Sequence, residues 1–344
     1  MKRAAIAPAD PAIIFRWDLD KTYLRTEFET LRKMVRIPFE SGADKVALPG
    51  VPQLIQSLRR CASARGERPL VFFLSASPPQ IGTAIREKLA LDGIEYEGIT
   101  FKDQLRNLMR GKWRNLREQV GYKLGELLES RLRVPDSPRE VLFGDDWESD
   151  PVIYSLYADI MNRTLAPEQL VQIMERLGVD PTAVARIAAA AERVPAETPG
   201  EVARIFINLE RRTPPGRFHA FGPRLVPAFN YLQTASSLFE MGMLDEDAIP
   251  AIAAALLDQP RASGERLRNA LDDLVRRGHL RPATRTRVLR LLDKHKLSSF
   301  GPHEPVLRAR LAEAFDRWTR RFKTSSGETF AIDYEKVLSE SAER

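Results

Sequence analysis

The 344-residue sequence predicts an α/β fold: a parallel sheet covered by helices, with a helical insertion and a C-terminal all-helical region. Three observations carry that reading. Short β-branched and aromatic runs alternate with helix-like stretches through the first half. Several of those runs stop abruptly in polar clusters, as strands do where they reach a functional edge. Beyond residue 244 only helical patterns remain, punctuated by Pro, Gly and Ser.

The strand candidates, in order, are 12–17 (AIIFRW), 70–74 (LVFFL), a weaker 94–101 (IEYEGITF), 140–143 (EVLF) and 202–209 (VARIFINL). A helix over 51–64 separates the first two. Two helical stretches within 166–194, parted by a turn at 178–181, read as a hairpin inserted before the last strand. After a Pro/Gly loop at 213–216 come helices near 227–241, 245–258, 263–277, 281–295 and 304–322. With no fixed-period repeat, the expected division is a catalytic unit over 1–244 and a helical region over 245–344.

Composition narrows the classes. With 43% hydrophobic and 29% charged residues the chain lies far from disordered sequences. Its longest apolar runs, such as 70–74 and 251–257, fall well short of the roughly 20 residues that span a bilayer. Asp10 and Pro11 interrupt the basic N-terminus before any secretory h-region forms, and the lone Cys61 has no partner at metal-ligand spacing. The expected setting is reducing and cytoplasmic. Lys and Arg number 53 against 47 acids, a net +6 that favours acidic partners without marking the chain as a nucleic-acid binder. The four histidines form no zinc pattern, and no Walker loop, G-x-G-x-x-G turn or G-x-S-x-G elbow is present.

Chemistry concentrates in three clusters. Asp18-Leu19-Asp20-Lys21-Thr22 follows the first strand candidate; residues i and i+2 of an extended segment share a face, so one acid can attack an electrophile while the other moves a proton. Taken alone, such a pair is equally a turn or a cap. Gly144-Asp145-Asp146-Trp147-Glu148-Ser149-Asp150 follows the fourth, and its oxygens suit a hard cation such as Mg²⁺; the bland alternative is a solvated acidic loop with Asp150 capping a helix. Between them, Ser75-Ala76-Ser77-Pro78-Pro79-Gln80 reads as the start of a helix whose N-terminus can receive a phosphate, although Ser77 is also an ordinary cap.

These clusters, in this order, resemble the haloacid-dehalogenase (HAD) superfamily of phosphotransferases, whose fold is a Rossmannoid parallel sheet. DLDKT is similar to its first motif, Ser75 to its second and Gly144-Asp145 with Asp150 to its fourth. More narrowly, SASP and GDDWESDPVIY resemble patterns of the catalytic domain shared by bacterial proteins and the fungal actin-patch phosphatidate phosphatases, relatives of the lipins, over roughly residues 10–244. The resemblance implies Asp18 as nucleophile, Asp20 as general acid and then base, and Mg²⁺ held by Asp18, the backbone carbonyl of Asp20, Asp145 and Asp150. Ser75 joins the catalytic set, and Thr22 and Ser77 bind substrate. Lys123 is the expected third-motif lysine, with Lys112 as the alternative. Lys21 departs from the narrower pattern, which has an acid there, and Pro79 replaces an aromatic.

Two basic stretches offer surfaces for anionic partners. Residues 104–123 carry six Lys or Arg against Glu118, and 261–296 carry eleven against four acids. The first is read either as a solvated helix face or as a patch that steers a phosphorylated or anionic substrate, and both suit contact with an anionic membrane as well as mere solubility. The expected substrate is a phosphorylated small molecule or lipid, phosphatidate included, with no specific nucleic acid. The competing readings are a HAD-fold regulatory module with weak activity and a phosphatase for nucleotides or nucleic-acid ends.

Overall fold

Strand β1 (Ala12–Asp18) is buried along its whole length, which is the position its near-continuous apolar run demands. It pairs in parallel with β2 (Arg68–Ser75) on one side and β4 (Arg139–Asp145) on the other. With β3 (Gly98–Phe101), β5 (Glu201–Asn208) and β6 (Leu225–Ala228) it forms a six-stranded parallel sheet in the order β3-β2-β1-β4-β5-β6. The chain winds outward in both directions from β1, so the crevice at the carboxyl ends of β1 and β4 is where an open α/β sheet places its ligands. This computed structural model describes residues 12–25, 45–75, 79–101, 119–134, 138–147, 149–260, 262–297 and 330–342. The expected helix over 304–322 lies outside them.

Side-chain alternation along β1 assigns the helices to faces. Ile13, Phe15 and Trp17 enter one core with α1 (Val51–Ala64) and α2 (Gly82–Leu91). The same core takes in α7 (Tyr231–Glu240), α8 (Ala248–Leu257), α9 (Gly264–Arg276) and α10 (Pro282–Lys294). The opposite face holds α3 (Gly125–Arg131), α4 (Asp150–Met161) and the hairpin of α5 (Pro167–Arg176) and α6 (Pro181–Glu197). There α11 (Tyr334–Ala342) also docks, its Tyr334 hydroxyl donating to Asp159 at 2.7 Å. Among the described residues no helix is long and apolar enough to cross a membrane.

Two expectations change. The helix read near 227–241 begins only at Tyr231, because the Asn230 side chain accepts from the Leu232 and Gln233 N–H groups. Residues Leu225–Ala228 before it form β6, whose Pro227 is tolerated because β6 is an edge strand paired only with β5. The α5–α6 hairpin therefore precedes β5, and β5 is not the last strand. In the basic stretch 261–296 several arginines have acidic partners. Arg276 and Arg277 pair with Asp273, Arg281 with Glu240, Arg285 with Asp272 and Arg287 with Glu246.

One charged group on β1 breaks the apolar run. Arg16 is buried, and it pairs with Glu140 at 2.6 Å and donates to Ser130 at 2.8 Å. Arg131 reaches the same carboxylate at 3.0 Å and Tyr157 donates to it at 2.9 Å. This cluster ties β1, β4, α3 and α4 together, and leaving any member unpaired would cost several kcal/mol, on the order of 3–5.

Burial pushes the phenols of Tyr154, Tyr157, Tyr231 and Tyr334 above their ordinary value. An unfolded chain releases these protons near pH 10 while the folded one keeps them, so the stability they contribute is full below about pH 10 and declines above it. Denaturant unfolding at pH 8, 10 and 11 should show a flat region and then a fall of up to about 1.4 kcal/mol per pH unit for each such tyrosine. A stability still rising beyond pH 10 would contradict this burial.

Candidate active site

The carboxyl ends of three strands supply the site. Asp18 closes β1, Ser75 closes β2 and Asp145 closes β4, and all three are buried. Beneath them an aromatic floor runs across the sheet: Trp17 stacks on Phe143 at 3.7 Å between ring centres, and Phe143 on Phe206 at 5.5 Å. That floor keeps the carboxylates in a low-dielectric setting, where their charge interactions are strong.

Asp18, Asp145 and Asp150 each offer an oxygen, and these lie within 4.8 Å of one another with no exposure to solvent above 1%. Gly144 makes this approach possible. A Cβ there would meet Asp150 Oδ2 at 2.5 Å and Tyr154 Cε2 at 2.8 Å, so α4 can begin against β4 only because residue 144 has no side chain. Asp150 is the first residue of α4, and its Oδ2 accepts from the Asp145 N–H at 3.3 Å.

The cation inside the cluster is Lys123. Its Nζ lies 2.8 Å from Asp18 Oδ1 and 2.7 Å from Asp150 Oδ1, with the side chain fully buried. Lys123 sits in a π-helical turn (Val120–Leu124) that leads into α3; such a turn inserts an extra residue and re-aims the side chains around it. The inserted hairpin supports this turn: Arg186 of α6 donates to the Gly121 carbonyl at 3.3 Å and pairs with Glu129 at 3.1 Å. Ser149 donates to Gln119 at 2.9 Å and joins the acidic loop to the same segment. Lys123 thus separates from the basic stretch 104–123 to which its sequence position assigned it, while Lys112 lies outside the described residues.

Among the described residues three buried carboxylates gather around the Lys123 ammonium, and carboxylates brought this close in a buried setting favour a cation beside them. Hard oxygen donors clustered in this way could hold a divalent ion. Asp20 stands apart, half-buried, with its carboxylate accepting from Ser75 Oγ at 3.1 Å. Thr22 is fully buried, and its Oγ1 has no hydrogen-bond partner among the described residues, so it is a donor available to a ligand oxygen. Ser77 lies outside the described residues. The helix expected to open there begins instead at Gly82, after a single 3₁₀ turn at Pro79–Ile81.

Sequence reasoning missed Asn208, the last residue of β5. In register with Asp145, it donates through Nδ2 to the Lys21 carbonyl at 3.1 Å and so fixes the turn that follows Asp20. A polar residue closing the apolar run RIFIN was the available signal. Tyr231 was missed as well; its hydroxyl donates to the Thr22 carbonyl, and burial, with the charges of Glu210, Asp145 and Asp18, keeps that phenol protonated.

Gly144→Ala should push Asp150 from the cluster at a cost of about 1–3 kcal/mol from overpacking. Thermal unfolding with and without added Mg²⁺ reads both effects: a lower midpoint, and a smaller metal-induced rise than in the parent protein. An unchanged metal response would mean that Asp150 needs no such clearance.

No curated protein and no solved structure matches the chain. Residues 17–174, which run from the end of β1 through most of α5 and include Asp18, Asp20, Thr22, Ser75, Lys123, Asp145 and Asp150, match the family model of the phosphatidate phosphatase APP1 catalytic domain.

Proposed function

We propose that this protein is a Mg²⁺-dependent phosphomonoester hydrolase of the HAD type, acting through an aspartyl-phosphate at Asp18. The observation that carries the reading is the buried Asp18–Asp145–Asp150 cluster, with the Lys123 ammonium between Asp18 and Asp150 and with Asp20 two residues after Asp18. The phosphatase family matched over 17–174 supports it. Phosphatidate or another anionic phosphorylated molecule is the substrate class, met in the cytoplasm and, for a lipid, at an anionic membrane surface.

In this mechanism an Asp18 oxygen attacks phosphorus while Asp20 gives its proton to the departing oxygen, so that the P–O bond to the leaving group breaks as the bond to Asp18 forms. Asp20, now a carboxylate, takes a proton from water; the hydroxide attacks phosphorus and releases inorganic phosphate, restoring Asp18. Ser75, hydrogen-bonded to Asp20, orients that acid, and Thr22 and Ser77 donate to phosphate oxygens. Lys123 offsets charge on Asp18 and steadies Asp150 through both steps. Mg²⁺ held by Asp18, Asp145, Asp150 and the Asp20 carbonyl would neutralise the phosphate's charge as it approaches.

Release of phosphate from para-nitrophenyl phosphate should stop on chelation and return with added Mg²⁺. Turnover that persists after complete metal removal would exclude the metal-assisted route.

Asp18→Asn should abolish release while preserving the fold, because Lys123 keeps Asp150 as a partner. Near-normal turnover in that variant would rule out the covalent step.

Lys123→Ala leaves the buried carboxylates without their ammonium. It should lower turnover on the order of 10² or more and destabilise the metal-free protein by about 3–5 kcal/mol, with partial recovery in Mg²⁺. Lys112→Ala should give at most a small, salt-sensitive loss of turnover. Steady-state rates at low and high ionic strength, with melting curves, separate the two; a large salt-independent loss in the Lys112 variant alone would exchange their roles.

A further inference from the structure

The turn that follows Asp20 is closed by its own backbone, the Lys21 N–H donating to the Leu24 carbonyl at 2.9 Å, and is then held from outside. Lys21 has a φ of 60°, in the left-handed region that a residue with a Cβ occupies only against a steric penalty. Strained backbone beside a reacting group persists only where the surroundings over-determine it. Here two side chains do so. Asn208, the last residue of β5, donates through Nδ2 to the Lys21 carbonyl at 3.1 Å. Tyr231, the first residue of α7, donates through its hydroxyl to the Thr22 carbonyl.

Both holders are buried and fixed in their turn. The Asn208 carbonyl accepts from the Asp146 N–H at 3.2 Å, so this one residue joins the turn after β1 to the acidic loop after β4. The Tyr231 ring lies against Trp17 with ring centres 6.3 Å apart, and Asn230 caps the helix that Tyr231 opens. Because a peptide unit is planar, fixing the carbonyls of residues 21 and 22 also fixes the N–H groups of residues 22 and 23. The backbone after Asp20 is thus set from β5 and α7, while Ser75 of β2 meets the Asp20 carboxylate itself at 3.1 Å.

Asn208 and Tyr231 both lie beyond residues 17–174, the part that matches the phosphatase family. We propose that they are positioning residues for the proton donor: by holding two successive carbonyls they keep Asp20 where it can give its proton to the departing oxygen, and the working catalytic unit therefore includes β5 and α7. The proposal rests on the phosphatase reading above and deepens it. Misplacing a reacting group by about 1 Å can cost on the order of 10²-fold in rate, so a turn released toward an unstrained φ weakens proton transfer without removing any group that reacts.

The test compares phenyl phosphate with 4-nitrophenyl phosphate, using the full-length protein in Mg²⁺. The nitrophenolate departs with little help from an acid, whereas phenolate, whose conjugate acid has a pKa of about 10 as in tyrosine, gains much from a proton. The ratio of kcat/KM for the two, set against the parent's, isolates the proton donor in the step that breaks the ester bond. Asp20→Asn gives the full fall in that ratio. Tyr231→Phe should lower it on the order of tenfold, part of the roughly 10²–10⁴ that a placed acid supplies, with phenyl phosphate bearing the loss. Asn208→Leu, which removes the donor at similar volume, should act in the same direction. Melting curves in Mg²⁺ show which of the two variants is folded, and either one decides. An equal loss on both substrates, or an unchanged ratio, in a folded variant overturns the positioning role and leaves the phosphatase reading intact. A parent that releases phosphate from neither substrate, or an Asp20→Asn variant with an unchanged ratio, overturns that reading and the proposal with it.

Discussion

The ammonium of Lys123, buried between Asp18 and Asp150, is the interaction on which the site depends. Carboxylates drawn from the ends of two neighbouring strands and a helix start repel one another in a dry environment, and one shared cation lets them coexist while leaving negative charge for a metal to meet. Much of the surrounding structure serves to hold that cation. The π-helical turn aims it, Arg186 of the inserted hairpin grips the turn, and the Ser149–Gln119 bond ties it to the acidic loop. The hairpin, which reads in the sequence as an insertion, thereby becomes part of the support of the candidate site.

The sheet imposes a matching constraint from below. Trp17, Phe143 and Phe206 come from three adjacent strands and stack in register, so the strand ends above them share a rigid base. The second charged cluster, Arg16 with Glu140 and Arg131, lies further along the same strands toward their starts. Helix α3 belongs to both: Arg131 near its end joins the lower cluster, and the π turn at its start carries Lys123.

Asp18, Asp20, Ser75, Asp145 and Asp150 were legible because each follows an apolar run, and a parallel sheet brings all such ends to one edge. The helices over 51–64, 263–277 and 281–295 were legible from their periodicity and differ from the structure by no more than a residue at either end. What escaped has identifiable causes. Strand β6 is only four residues long and holds a proline, so it carries no alternation to read. Lys123 and Lys112 share one basic stretch, and nothing local to the sequence signals the π turn that buries the first. Arg16 interrupts a strand, and its partners lie more than 100 positions away. Asn208 and Arg211 act through the backbone of another loop or through an aromatic ring, contacts that leave no spacing to recognise.

Within the candidate site the buried groups and the groups on loops differ in their freedom to change. The clustered carboxylates and their ammonium come from strand ends, a helix start and a buried turn, where packing leaves little freedom for change. The groups at the rim come from loops: Lys21 in a strained turn, Trp147 beyond the metal-ligand candidates and Arg211 beyond β5. A loop residue can change without disturbing the sheet, as the lysine after Asp20 illustrates. It replaces the acid of the resembled pattern, yet the cluster of Asp18, Asp145, Asp150 and Lys123 below it remains closed.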